Sequence, residues 1–157
     1  MAQTVLNIKD TIHGGQGLVQ IELNGNLETL FQVKNVEAFI EKNKESLKIA
    51  GSHWEHSKLD TIKGTGSCTM YYMTSTFVEL AQKLAKTGQD FEFDMIITNE
   101  DDQSSVGKQT TVLRNCNMDK ILVAKFDIDS VALEEDFDFT FTDMDVIDKF
   151  SKPSYFK

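Results

Sequence analysis

Proline is almost absent. The only one is Pro153, near the C-terminus, so no Pro-rich linker marks a boundary inside the chain. Cysteine is scarce too. Cys68 and Cys116 lack the close spacing of a metal or redox motif, and two reduced thiols in a reducing compartment are expected. Positive charge is in short supply: 16 Lys and Arg stand against 25 Asp and Glu, a net charge of −9. That balance argues against stable binding to nucleic acid or to anionic membranes, both of which need basic patches. No apolar run approaches the ~20 residues of a membrane-spanning helix. Residues 1–10 show no basic stretch followed by an apolar one, so no signal peptide is expected.

What remains is ordinary for a soluble globular domain: 157 residues, 40% hydrophobic and 26% charged. A single domain over 1–157 is expected, large enough to fold without disulfide or metal. The acids are unevenly placed. Nine lie between Asp127 and Asp148 with no Lys or Arg among them.

Periodicity predicts strands. Residues 1–17 end in Gly14-Gly15-Gln16-Gly17 and read as a flexible N-terminal arm. Residues 18–23 alternate, and Asn24-Gly25 predicts a two-residue hairpin turn. The return strand spans 27–40, with Phe31 and Val33 in one phase and Val36, Ala38 and Ile40 in the other. A bulge at Asn35 accounts for the slip. Residues 51–63 lack alternation and are read as a long loop used in subunit contacts. A strand follows over 64–73.

The spacing predicts a helix over 76–87. Phe77, Leu80, Ala81, Leu84 and Ala85 form its apolar stripe, Thr76 and Glu79 a capping box, and Gly88 the stop. Further strands are expected around Phe91–Ile97, over 109–114, over 121–128 and over 135–142. In the last, Phe137, Phe139 and Phe141 alternate with Asp136, Asp138 and Thr140. Many antiparallel strands and one helix make a mainly β class: a β-sandwich or barrel of two antiparallel sheets with a flanking α-helix.

Chemistry-bearing motifs are thin. His53 and His56 flank Glu55 at i, i+3, but a metal site needs further ligands, and exposed histidines are the plainer reading. Residues 99–103 are acidic without the Gly and terminal Glu of a calcium loop. Gly64-Thr65-Gly66 precedes a strand and not a helix N-terminus, so it is no phosphate loop. No cofactor or catalytic site is expected. Trp54 stands alone in a polar stretch, either folded onto the core or anchoring a protein contact.

Over about residues 14–150 the chain resembles the tail tube proteins of PBSX-like contractile-tailed phages and of related R-type bacteriocins. The resemblance rests on the order and spacing of several stretches. These are Gly64-Thr65-Gly66, then Met73-Thr74-Ser75-Thr76-Phe77 leading into the helix, then Asp101-Asp102-Gln103-Ser104-Ser105. Asp127-Ile128-Asp129-Ser130, Ala132-Leu133-Glu134-Glu135 and Phe137-Asp138-Phe139-Thr140-Phe141 follow, with Asp143 last. The two cysteines and the His53-Trp54-Glu55-His56 cluster depart from the pattern.

The resemblance implies a non-enzymatic virion protein whose hexameric rings stack into the inner tube of a contractile tail. It implies as partners further copies of the chain, the sheath, the tape-measure protein, and baseplate and terminator proteins. DNA would pass only transiently through the lumen, and assembly would take place in the bacterial host cytoplasm. Trp54, His53 and His56 are candidate assembly contacts. Asp136, Asp138, Glu92 and Asp94 are candidate acidic lumen residues. Two other readings are open: a small β-barrel holding an apolar ligand among Phe91, Phe93, Phe137, Phe139 and Phe141, and a metal-dependent hydrolase using His53, His56 and a carboxylate.

Overall fold

A computed structural model describes residues 5–155 of the chain. Residues 1–4 of the expected N-terminal arm lie outside the described residues. Among the described residues, eight strands and one α-helix follow a short 3-10 turn at Ile8–Asp10. The strands are β1 (Gly17–Leu23), β2 (Asn26–Thr29), β3 (Val33–Leu47), β4 (His56–Tyr71), β5 (Phe93–Glu100), β6 (Lys108–Met118), β7 (Glu134–Phe141) and β8 (Asp143–Asp148); the helix is α1 (Thr76–Thr87). The chain divides into two compact units. One holds the residues up to Phe31, Glu92–Arg114 and the residues from Met144; the other holds Gln32–Phe91 and Asn115–Asp143.

In the first unit β1 pairs antiparallel with β2 on one side and β5 on the other. The turn between β1 and β2 is the predicted Asn-Gly turn. Asn24 and Gly25 both have positive φ, 52° and 80°, which matches the twist of the flanking strands. Ile21 and Met95 face each other across β1 and β5, and both are fully buried. The Arg114 guanidinium bridges Asp94 at 3.0 Å and Asp145 at 3.1 Å, which raises its pKa further above its ordinary value. The carboxylate of Asp10 accepts from the Ser105 amide (2.9 Å), the Ser105 hydroxyl (2.6 Å) and the Tyr155 hydroxyl (2.5 Å), which holds its pKa below the usual range.

The second unit is built on β4, which pairs antiparallel with β3 and with β7. Phe137, Phe139 and Phe141 of β7 are buried as the alternation predicted, beside Cys68 and Met70 of β4 and Cys116 and Met118 of β6. Their rings follow one another at centroid distances of 6.0 and 6.5 Å, and Phe77 of α1 meets Phe137 at 5.7 Å. Gly66 and Gly64 are required beneath them. A Cβ on Gly66 would strike the Phe139 ring and come within 2.7 Å of the Glu37 carbonyl oxygen, and one on Gly64 would meet the Phe141 carbonyl oxygen at 2.6 Å. Burial pushes the Cys68 thiol up to about 12, helped by the nearby charges of Glu135 and Asp136.

The helix has its predicted bounds, and Gly88 ends it in the left-handed region (φ 73°) with its amide on the Leu84 carbonyl. The N-cap is Ser75, one residue before the predicted Thr76, and no side chain caps the helix there. The Glu79 amide bonds the Ser75 carbonyl, the first intrahelical bond. The bulge near Asn35 is present as a register shift between Val33 and Asn35.

Three strand expectations differ from the structure. The return strand over 27–40 is broken after Thr29, and its second part continues as β3 on a different partner, β4. Residues 51–63 are not all loop: His56 onward is strand, and only 48–55 connect. Those strand residues lack alternation because they are exposed on both faces, leaving no buried side to imprint a period of two. Residues 121–128 alternate yet form no strand, because among the described residues no neighbouring segment pairs with them.

Candidate assembly surface

β3 and β4 are much longer than the strands they join. β7 ends at Phe141, opposite Gly64 of β4, so beyond that point the hairpin continues as a two-stranded ribbon. Residues 41–47 and 56–63 form it, roughly 23 Å of strand at the usual rise per residue. Its register places Glu41 opposite Lys63 and Glu45 opposite Lys58, cross-strand pairs of opposite charge. Asn43 donates to the Thr61 hydroxyl at 2.9 Å. A second register shift lies between Asn43 and Lys44.

The ribbon and its root are rich in uncovered apolar side chains. Phe39, Ile40, Leu47, Ile49, Leu59 and Ile62 are each about half exposed or more, and Trp54 at the tip is 83% exposed. A two-stranded ribbon is marginal on its own, and monomeric proteins rarely leave such a row of apolar groups uncovered. An unpaired strand edge adds main-chain donors and acceptors to the same surface.

The tip is fixed locally. The Ser52 hydroxyl accepts from the Trp54 amide (3.2 Å) and lies 3.0 Å from Nε2 of His56, while Ser46 donates to Glu55 at 2.5 Å. The Trp54 indole is not folded onto the core, the first of its two sequence readings. His53 is exposed, and His56 is half-buried as the first residue of β4. Among the described residues, no three His, Cys, Asp or Glu side chains are grouped so as to hold a metal.

The candidate acidic residues separate into two kinds. Asp136 and Asp138 are exposed on β7, on the face opposite the phenylalanines. Glu92 is exposed just before β5, whereas Asp94 is half-buried and tied to Arg114. Glu135, on the inward side of β7, is only 5% exposed, and burial pushes its carboxyl up. Sequence reasoning missed Glu135 because it sits in a run of acids that reads as solvated. It also missed the ribbon, whose available signal was the matched spacing of Glu41 and Glu45 to Lys63 and Lys58.

Of the phenylalanines offered for an apolar ligand pocket, Phe137, Phe139 and Phe141 pack in sequence on one another, and Phe137 packs on Phe77. At the root of the ribbon a groove of about 380 Å³, open to solvent, is bordered by Phe39, Glu41, Lys63 and Asp138.

Comparison with known proteins agrees with this layout. A family model described as phage tail tube protein matches residues 4–148. The phage-like element PBSX protein XkdM of Bacillus subtilis (strain 168) is 37% identical over 146 residues, covering 93% of this chain and 97% of that protein. The uncharacterized protein YqbM of the same strain is 36% identical over 141 residues, 90% and 93% of the two chains. A solved Bacillus subtilis protein structure superposes with a TM-score of 0.53 at 31% identity, covering 86% and 98%. The fold also matches a chain in the sheath–tube complex of an extracellular contractile injection system, with a TM-score of 0.67 over 88% and 93% at 10% identity. Family, relatives and mainly β architecture agree: the chain belongs to the phage tail tube protein family and is a structural protein of a tail tube.

Proposed function

We propose that copies of this chain close into hexameric rings that stack into the inner tube of a contractile tail, with no catalytic chemistry of their own. The observation that carries this reading is the ribbon of β3 and β4, two long strands whose distal halves find no cover among the described residues. Ring contacts between identical subunits are heterologous and close by rotation, whereas stacking along the axis stays open-ended. Trp54, His53 and His56, at or beside the ribbon tip, would meet a neighbouring subunit. The segment 1–17 and the connection within 51–63 would take part in the same contacts.

The outer partners are the sheath around the tube, the tape-measure protein within it, and baseplate and terminator proteins at its ends. Assembly takes place in the bacterial host cytoplasm. The acids have a use in such a tube. Exposed Asp136, Asp138 and Glu92 line the lumen, with Asp94 contributing less because Arg114 neutralises it. Passing DNA is repelled from that wall over a screening length of ~8 Å at physiological salt.

Electron microscopy of concentrated purified protein is the test. Rings or hollow tubes of uniform width are expected. A strictly monomeric sample at every concentration and salt tried contradicts the reading.

A further inference from the structure

We infer that residues 123–131 form the seat that receives the ribbon tip of a second copy of this chain. The inference deepens the reading of the ribbon as an assembly element and rests on it. Its starting point is the segment that alternates like a strand and is not one. Val123 is 59% exposed, Phe126 90%, Ile128 85% and Val131 fully so. Four such side chains within nine residues are left uncovered among the described residues.

The row is held in place at both ends. The Asp119 amide donates to the Asp138 carbonyl at 2.9 Å, and the Leu133 carbonyl accepts from the Tyr72 amide at 2.8 Å. Between them Lys125 Nζ reaches the Glu134 carbonyl oxygen at 2.7 Å, and the Asp127 side chain accepts from the Asp129 amide at 3.0 Å. The segment is therefore tethered at both ends, without strand up to Asp127 and turned at Ile128–Asp129, with these apolar groups exposed. Alternation in a sequence records an environment with two unlike sides. One copy of the chain supplies no such environment for 121–128, and a second copy would.

Charge selects the occupant. Residues 41–63 carry five lysines against four acids, a net of +1 in a chain of net −9. The seat carries exposed Asp127 and Asp129 against one lysine, Lys125, a net of −1, and from Asp127 runs into the stretch of nine acids that holds no Lys or Arg. An apolar, lysine-bearing tip and an apolar, acidic seat are complementary. Within one copy they do not cover each other, since Trp54 and Phe126 are both open to solvent. A contact between two different patches of one chain type is heterologous, and it propagates without self-limiting when it does not close a ring.

The test places the photo-crosslinking residue p-benzoylphenylalanine at Phe126 and irradiates the assembled protein. Cross-links to residues 47–59 of another copy are expected. In parallel, Phe126→Asp should raise the concentration needed for assembly by at least about tenfold, as for an interface anchor, while leaving the melting temperature of the unassembled chain unchanged. If wild type and Phe126→Asp assemble alike and the cross-links fall elsewhere, the seat is refuted while the ribbon's role stands. If wild type itself never assembles, the reading beneath the inference fails, and the inference with it.

Discussion

The root and the distal half of the β3–β4 hairpin are parts of the same two strands in opposite circumstances. At the root, Gly64–Tyr71 of β4 has strands on both sides and a face of phenylalanines over it. Beyond Gly64 the pairing of β3 with β4 continues, yet Leu59, Ile62 and Trp54 stand in solvent. The strand does not change; its cover does. The root is covered by its own chain, and the distal half is uncovered among the described residues.

Four substitutions sharpen that contrast, and all are read first as changes in stability of the unassembled chain by denaturant unfolding. Phe139→Ala should be the most damaging, at about 3–5 kcal/mol, because Phe139 fills the middle of the aromatic row at 1% exposure. Gly66→Val should follow at about 1–3 kcal/mol, since the added atoms meet the Phe139 ring and the Glu37 carbonyl.

Glu135→Gln should act in the other direction and by less. Burial raises the folded-state pKa of Glu135 above its ordinary value of 4.5, so ionising it costs stability as the pH climbs through that raised value. Glutamine there should stabilise the chain at neutral pH, and the gain should vanish below pH 4.5. Trp54→Ala should change monomer stability least, within about 0.5 kcal/mol, because the indole touches no core. Its effect should appear instead as loss of assembly by light scattering. A large drop in monomer stability with unchanged assembly would invert the contrast.

The same contrast explains which parts of the fold were legible in the sequence. β7 was read correctly because one face is buried and the other wet, so Phe137, Phe139 and Phe141 alternate with Asp136 and Asp138. The Asn24-Gly25 turn and the Gly88 helix stop were legible because their backbone angles demand those residues. Residues 56–63 were mistaken for loop because a strand wet on both faces carries no period. Residues 121–128 were mistaken for strand because their pattern has no counterpart within the chain. Of the proposed contact surface, the 51–63 stretch with His53, Trp54 and His56 stood out; the rest of the ribbon was invisible without the register of β3 on β4. Glu135 was hidden for the opposite reason, as a buried acid among exposed ones.

The central claim is that the distal ribbon is completed by identical neighbours. Amide hydrogen exchange over residues 41–63, compared between unassembled protein and tubes, tests it most directly. Fast exchange in the free chain and strong protection in the tube are predicted. Equal, rapid exchange in both states would contradict the claim.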